Sequence, residues 1–202
     1  VSDTSNWSLK SEIKGYFADL NIINAEFSSK NDIIKFNGRL SNFLKINEKS
    51  LLNFNFEKIK TSSDRINLIF PKAFGTILPS SAKSLGVFNF KGNLKIKSNE
   101  IQSKFNLNLD EGIVDAFLKI SDFSNIDNSV YEGSLTGKDL NISKFLNFKS
   151  IGKSNFKFDV IGRGFTTQYL DSKVTGRIEN LFFKNLILNN IDVYGQIKDQ
   201  VF

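Results

Sequence analysis

Apolar residues recur in this chain at every second position, and no other feature limits its fold as tightly. Leu52-Asn-Phe54-Asn-Phe56 alternates, as does Phe88-Asn-Phe90-Lys-Gly92-Asn-Leu94-Lys-Ile96-Lys97. Phe105-Asn-Leu107-Asn-Leu109, Val114-Asp-Ala116-Phe-Leu118-Lys-Ile120, Phe156-Lys-Phe158-Asp-Val160 and Ile191-Asp-Val193-Tyr-Gly195-Gln-Ile197 continue the series. Successive side chains of a strand point to opposite faces, so spacing two gives a ribbon with one apolar and one polar side. That is the pattern of antiparallel sheet with one solvated face. Ser29-Lys-Asn31-Asp32, Ser98-Asn99, Asp110-Glu-Gly112, Ile126-Asp-Asn128 and Asn189-Asn190 supply the turns between strands. The two prolines, Pro71 and Pro79, fall in one stretch.

Six glycines sit inside an apolar-x-Gly-x-apolar motif: Gly15, Gly38, Gly92, Gly133, Gly176 and Gly195. The spacing puts each on the apolar side of its strand. Mid-strand glycine costs stability and marks a bulge, a bend or a close approach. Two readings stay open: an apolar face that curls and needs room inside, or a packed sandwich that needs small residues in its core.

A longer repeat relates Leu85-Gly-Val-Phe-Asn-Phe90-Lys to Ile151-Gly-Lys-Ser-Asn-Phe156-Lys. Thr61-Ser-Ser-Asp64 and Thr136-Gly-Lys-Asp139 read as helix starts, with side-chain oxygens capping free N–H groups. They predict two short helices, near residues 63–70 and 139–147, the first stopped by Pro71. Strands, one short helix, then more strands make a repeating unit, which points to an elongated body with approximate sub-units 1–70, 71–146 and 147–202.

Composition removes most chemistries. Among 202 residues there is no Cys, His or Met, against 21 Phe. Disulfides, zinc fingers, thiolate nucleophiles and Ser-His-Asp triads are therefore excluded. Glu111 falls in a turn and Asp115 on a polar strand face, so both read as solvated charges rather than a glycosidase pair. Gly133-Ser-Leu-Thr-Gly137 and Gly162-Arg-Gly164 lack the Lys-Ser/Thr and following helix of a phosphate loop. The sequence assigns no catalytic residue, metal ligand or cofactor, and the expectation is that the chain is not an enzyme. A net charge of +6 and pI near 9.4 admit an anionic partner. The lysines alternate with apolar residues instead of forming a block, which argues against nucleic acid. Regular lysines and missing aromatic girdles argue against a transmembrane β-barrel. Apolar runs such as Leu186-Ile187-Leu188 are far shorter than the ~20 residues of a membrane helix. The chain begins without Met and stops within Gln200-Val201-Phe202, which reads as a piece of a longer protein.

These segments together resemble the TamB and AsmA-like envelope proteins, of the Bacteroidetes type. The residues that carry the resemblance are Leu78-Pro79, Leu85-Gly-Val-Phe-Asn-Phe-Lys-Gly92, Leu135-Thr-Gly-Lys-Asp139-Leu-Asn-Ile-Ser-Lys-Phe-Leu146, Ile151-Gly-Lys-Ser-Asn-Phe156 and Leu181 through Ile197. The resemblance covers most of the chain. It implies an internal segment of a long β-sheet folded into an open, elongated trough, in a periplasmic protein anchored in the inner membrane. The implied work is carrying phospholipid between inner and outer membranes, or helping outer-membrane proteins assemble beside a barrel partner. Membrane contact would come through the ends of the parent protein.

The residues suit such a trough on their own physics. An apolar channel solvates acyl chains at about 0.8 kcal/mol per CH₂ withdrawn from water. Apolar contact is non-directional, so chains can slide without covalent steps. The cleanest alternating positions form the expected wall: Phe54, Phe56, Phe88, Phe90, Leu94, Ile96, Phe105, Leu107, Leu109, Val114, Leu118, Phe156, Phe158, Val160, Val193 and Ile197. The rival is a structural or adhesive β-sandwich or solenoid whose apolar faces are fully packed and bind no lipid.

Overall fold

The computed structural model describes residues 6–43, 49–62, 65, 86–146, 149–166 and 168–198. Eleven strands carry the alternating segments: β1 (Ser8–Tyr16), β2 (Asp19–Ser28), β3 (Ile33–Ser41), β4 (Leu51–Ser62), β5 (Val87–Lys97), β6 (Glu100–Leu109), β7 (Gly112–Ser121), β8 (Val130–Asn141), β9 (Ile151–Arg163), β10 (Asp171–Phe183) and β11 (Leu186–Ile197). One short helix, α1 (Ile142–Leu146), follows β8. The strands form a single antiparallel sheet whose spatial order is the order in the chain, β1 to β11. The sheet is open and uncurled, with β1 and β11 as its edges. The protein is thus mainly β, as the alternation predicts; curling into a trough is not part of this sheet.

Register turns the alternation into rows that cross the sheet. Phe36, Phe56, Gly92, Phe105, Ala116, Leu135, Phe158, Gly176 and Val193 are successive cross-strand partners. A second row runs through Ile22, Gly38, Phe54, Leu94, Ser103, Leu118, Gly133, Val160, Val174 and Gly195. Directly paired residues share a face, so these rows make one face apolar over the whole sheet. At about 4.8 Å between strands, ten steps give a face roughly 48 Å long across the strands.

Bulges interrupt this pairing without inverting the faces. Asn24 in β2 and Asp139 in β8 take left-handed φ values of 49° and 49° at shifts in register. The freed N–H of Asn24 donates to Asn37 Oδ1 on the next strand (2.8 Å), and that of Asp139 to Asn155 Oδ1. Asn and Asp tolerate this conformation better than other residues with a side chain, and each bulge bends its strand locally.

The expected helix starts are corrected. Thr61 is not a cap: it ends β4 with its Oγ1–H donating to buried Asp32 (2.7 Å). Thr136 and Asp139 belong to β8, because pairing with β9 continues through the bulge as far as Asn141. The helix expected over 139–147 is therefore the five residues of α1 alone. The helix expected over 63–70 lies outside the described residues, apart from Arg65.

Candidate functional site

All sixteen expected wall residues lie on the apolar face. Phe54, Leu94, Leu118 and Val160 share one row, and Phe56, Phe105, Phe158 and Val193 the next. Phe90, Leu107, Val114 and Phe156 sit in the row built on Ile59 and Gly137, with Phe88 and Leu109 paired beyond it. Ile96 and Ile197 belong to the row on the opposite side, with Leu52, Ile101, Ile120 and Tyr131. Phe36, Leu135, Val174 and Ile178, which flank the motif glycines in the sequence but are not among the expected wall residues, join the same face through cross-strand pairing.

Burial differs across this face in a way the pattern does not foretell. Phe88, Leu109, Leu140 and Phe156 cluster at one margin, 6–8% exposed, with Ile142 of α1 packed against them. Ile34 and Ile59 are buried at the same margin. There Asp32, fully enclosed, accepts from Ser29 Oγ (2.8 Å), Thr61 Oγ1 (2.7 Å) and Arg65 Nε (2.7 Å). At the opposite margin Tyr131 is buried under the stacked ring of Phe165, 4.8 Å between centroids. Between the margins, Phe54, Phe56, Leu94, Phe105, Leu118, Phe158 and Val160 are half-buried. Among the described elements, contacts run between sequential strands and between α1 and β9, and no second layer covers this middle band.

The six motif glycines also lie on the apolar face, but neighbouring chain occupies most of their space. A Cβ on Gly38 would meet the ring of Phe54 at 2.9 Å, on Gly176 the ring of Phe158 at 2.5 Å, and on Gly92 the Cβ of Phe105 at 2.6 Å. Gly133 faces a backbone carbonyl at 2.7 Å and Val160 at 3.5 Å, and Gly15 abuts the backbone of Asp19. Only Gly195, on edge strand β11, opens onto free space within 4 Å. Gly38 and Gly176 thus leave room for a cross-strand aromatic ring, and Gly92, Gly133 and Gly176 also for the backbone carbonyl of the strand beside them. Gly137 and Gly162, which the sequence offered only in segments unsuited to a phosphate loop, leave room in the same way for the rings of Phe156 and Tyr131. The rings make a near-continuous surface: Phe36, Phe56, Phe90 and Phe105 follow one another at 5.9, 6.0 and 5.4 Å, within the range of favourable aromatic contacts.

The other face is a charged coat. Lys91, Lys95 and Lys97 are exposed on it. Cross-strand ion pairs join Arg39 to Asp19, Lys35 to Glu26, Lys119 to Glu132 and Arg177 to Asp192. Hydrogen bonds from Ser41 and Arg39 hold the Asp19 carboxyl below its usual range, Lys35 does so for Glu26, and Arg177 for Asp192. Glu111 is more than the solvated charge expected. Lys144 of α1 and Asn141 Nδ2–H both donate to its carboxylate, and its pKa is lowered chiefly by Lys144. It ties the β6–β7 turn to the helix. Asp115 accepts from Asn106 Nδ2 (2.8 Å) on the neighbouring strand. Ile113, Phe117 and Ile161 also face this side, so the coat is not uniformly polar.

Among the described residues no helix is long and apolar enough to cross a membrane. Comparison of the chain with known family models, with curated proteins and with solved structures gave no match.

Proposed function

We propose that this chain is a segment of an elongated apolar groove that holds the acyl chains of phospholipid. In this reading the middle band is the floor and the two buried margins are the sides. The parent protein is a periplasmic bridge of the bacterial envelope, anchored in the inner membrane by parts outside this segment. It moves phospholipid between inner and outer membranes and/or supports outer-membrane protein assembly beside a barrel partner. The observation that carries the reading is the middle band, which no described element covers. A soluble monomer seldom leaves a contiguous apolar patch beyond a few hundred Å² without a use for it, and this band crosses all of β4 to β9. Its ligand need only be apolar and long, so no reactive group is required, and the chain is not read as an enzyme. No partner of nucleic-acid type is proposed.

The rival reading, a packed sandwich or adhesive module, needs a second layer over the band, and none is found among the described elements. The test is photo-crosslinking in cells from Leu94 and Val160 on the band, against Lys95 and Asp159 on the coat. Capture of phospholipid from the first pair alone supports the groove. Equal labelling from both pairs, or none from either, overturns it.

A further inference from the structure

The two edges of the sheet are built differently. β1 exposes Leu9 and Ile13, but Lys10, Glu12 and Lys14 stand beside them, and its pairing with β2 slips between Lys10 and Glu12. Charges and bulges of this kind keep another chain from adding to an edge. β11 has no proline, and its single charge, Asp192, is already paired with Arg177 at 2.8 Å. Leu186, Ile187 and Tyr194 of β11 are 62–65% exposed, and no described strand pairs with its outer side.

Gly195 is a second sign of a neighbour beyond β11. Inside the sheet, a Cβ on Gly38, Gly137, Gly162 or Gly176 would meet the ring of a directly paired residue: Phe54, Phe156, Tyr131 or Phe158. Gly195 is paired on one side only, with Val174, and a Cβ there would meet nothing within 4 Å. An apolar side chain from a further strand fits that space.

We propose that the further strand is β11 of a second copy, antiparallel to the first about a two-fold axis normal to the sheet, between Asn190 and Ile191. Asn190 has a left-handed φ of 56°, at a gap in the β10–β11 pairing. The register there keeps Leu186 and Leu188 on the same apolar face as Ile191, Val193 and Gly195. Pairing about the axis sets Leu186 opposite Gly195 and Leu188 opposite Val193 on that face. On the coat it sets Ile187 opposite Tyr194, and Asn189 opposite Asp192. The open glycine thus receives an exposed leucine twice, and like charges do not meet. Each exposed apolar residue of the strand gains a cross-strand partner. Residues 186–195 of each copy pair over about 33 Å. Joining β11 to β1 of another copy suits the edges less well. Neighbouring strands alternate in direction, so β1 and β11 run the same way, and that join would be parallel and would not close. The two-fold join closes and puts both apolar faces on one side. It does not depend on what those faces hold.

The test is the mass of the 202-residue chain in solution by light scattering, with crosslinking through single cysteines placed in a chain that has none. A dimer is expected. Ile191→Cys should form an intermolecular disulfide, because the two copies of that position lie about 6 Å apart between Cα atoms. Ile13→Cys on the β1 edge and Leu94→Cys on the band should not. Leu186→Lys should weaken the dimer about tenfold while keeping the parent's circular dichroism. A monomeric parent chain overturns the proposal, as does a dimer that Leu186→Lys leaves unchanged or that Ile191→Cys fails to crosslink. Crosslinking from Ile13→Cys would mark an open row of copies, and from Leu94→Cys two apolar faces packed together; either also overturns it.

Discussion

The margins and the middle of the apolar face are built from the same alternating phenylalanines and leucines, yet they are packed differently. At the margin under α1, Phe156 is 6% exposed and touches its neighbours on the sheet and the helix side at once. Two rows away Leu94 and Val160 keep one side free. The difference is what lies above them, since the sheet beneath is continuous. A margin residue is held on every side and contributes to stability. A band residue is supported from below and beside, and no described element lies over its outer surface.

The largest effect should come from the closed margin. Phe156→Ala is expected to cost about 3–5 kcal/mol, a transfer term plus a cavity, read as a fall in the denaturation midpoint. Asp32→Ala should cost a similar ~3–5 kcal/mol, because it removes the buried acceptor of the Ser29 and Thr61 hydroxyls and of Arg65 Nε. If either variant is as stable as the parent chain, the margin is not the structural half of the face.

Next come the glycines, which divide by what covers them. Gly176→Ala drives a Cβ against the Lys157 carbonyl oxygen and the Phe158 ring and should cost about 1–3 kcal/mol. Gly195→Ala meets open space and should be close to neutral by the same measurement. Equal costs would show that the closeness of Lys157 and Phe158 does not decide which residue these positions accept.

In the band, Leu94→Arg should keep the fold to within about 1 kcal/mol, since the long stem can lie along the face with its charge outside. The same variant should abolish lipid capture at Val160. Leu107 makes a poorer test site, because it packs against the buried cluster. Unfolding of Leu94→Arg would indicate that the band is a closed core.

The smallest effect concerns the Glu111–Lys144 tie. The Glu111 pKa is lowered in the folded state, so its stabilisation is full above the ordinary glutamate value and is lost as pH falls through the lowered one. Glu111→Gln should therefore be less stable than the parent at pH 7 and equal to it in strong acid, by denaturant titration at both pH values.

Much of this was legible in the residues. Every wall position read from Phe54-Asn-Phe56 or Phe88-Asn-Phe90 falls on the apolar face, because a strand has only two sides and an error of one residue would have inverted them all. The misreadings have specific causes. Thr136-Gly-Lys-Asp139 has the look of a helix start, but cross-strand hydrogen bonds to β9 prevail and turn Asp139 into a bulge. The motif glycines were visible as a pattern, but their reason was not, since Gly176 and Phe158 lie 18 positions apart and meet only through register.

By itself, then, the sequence determined that the chain is β, that its strands have one apolar side, and which residues make that side, because side-chain direction along a strand is a local property. Only the tertiary structure decided that eleven strands follow one another in one open layer. It also decided that the apolar face is buried at its margins, while among the described residues no second layer lies over its middle. Those outcomes depend on register and coverage, which arise between segments distant in the chain.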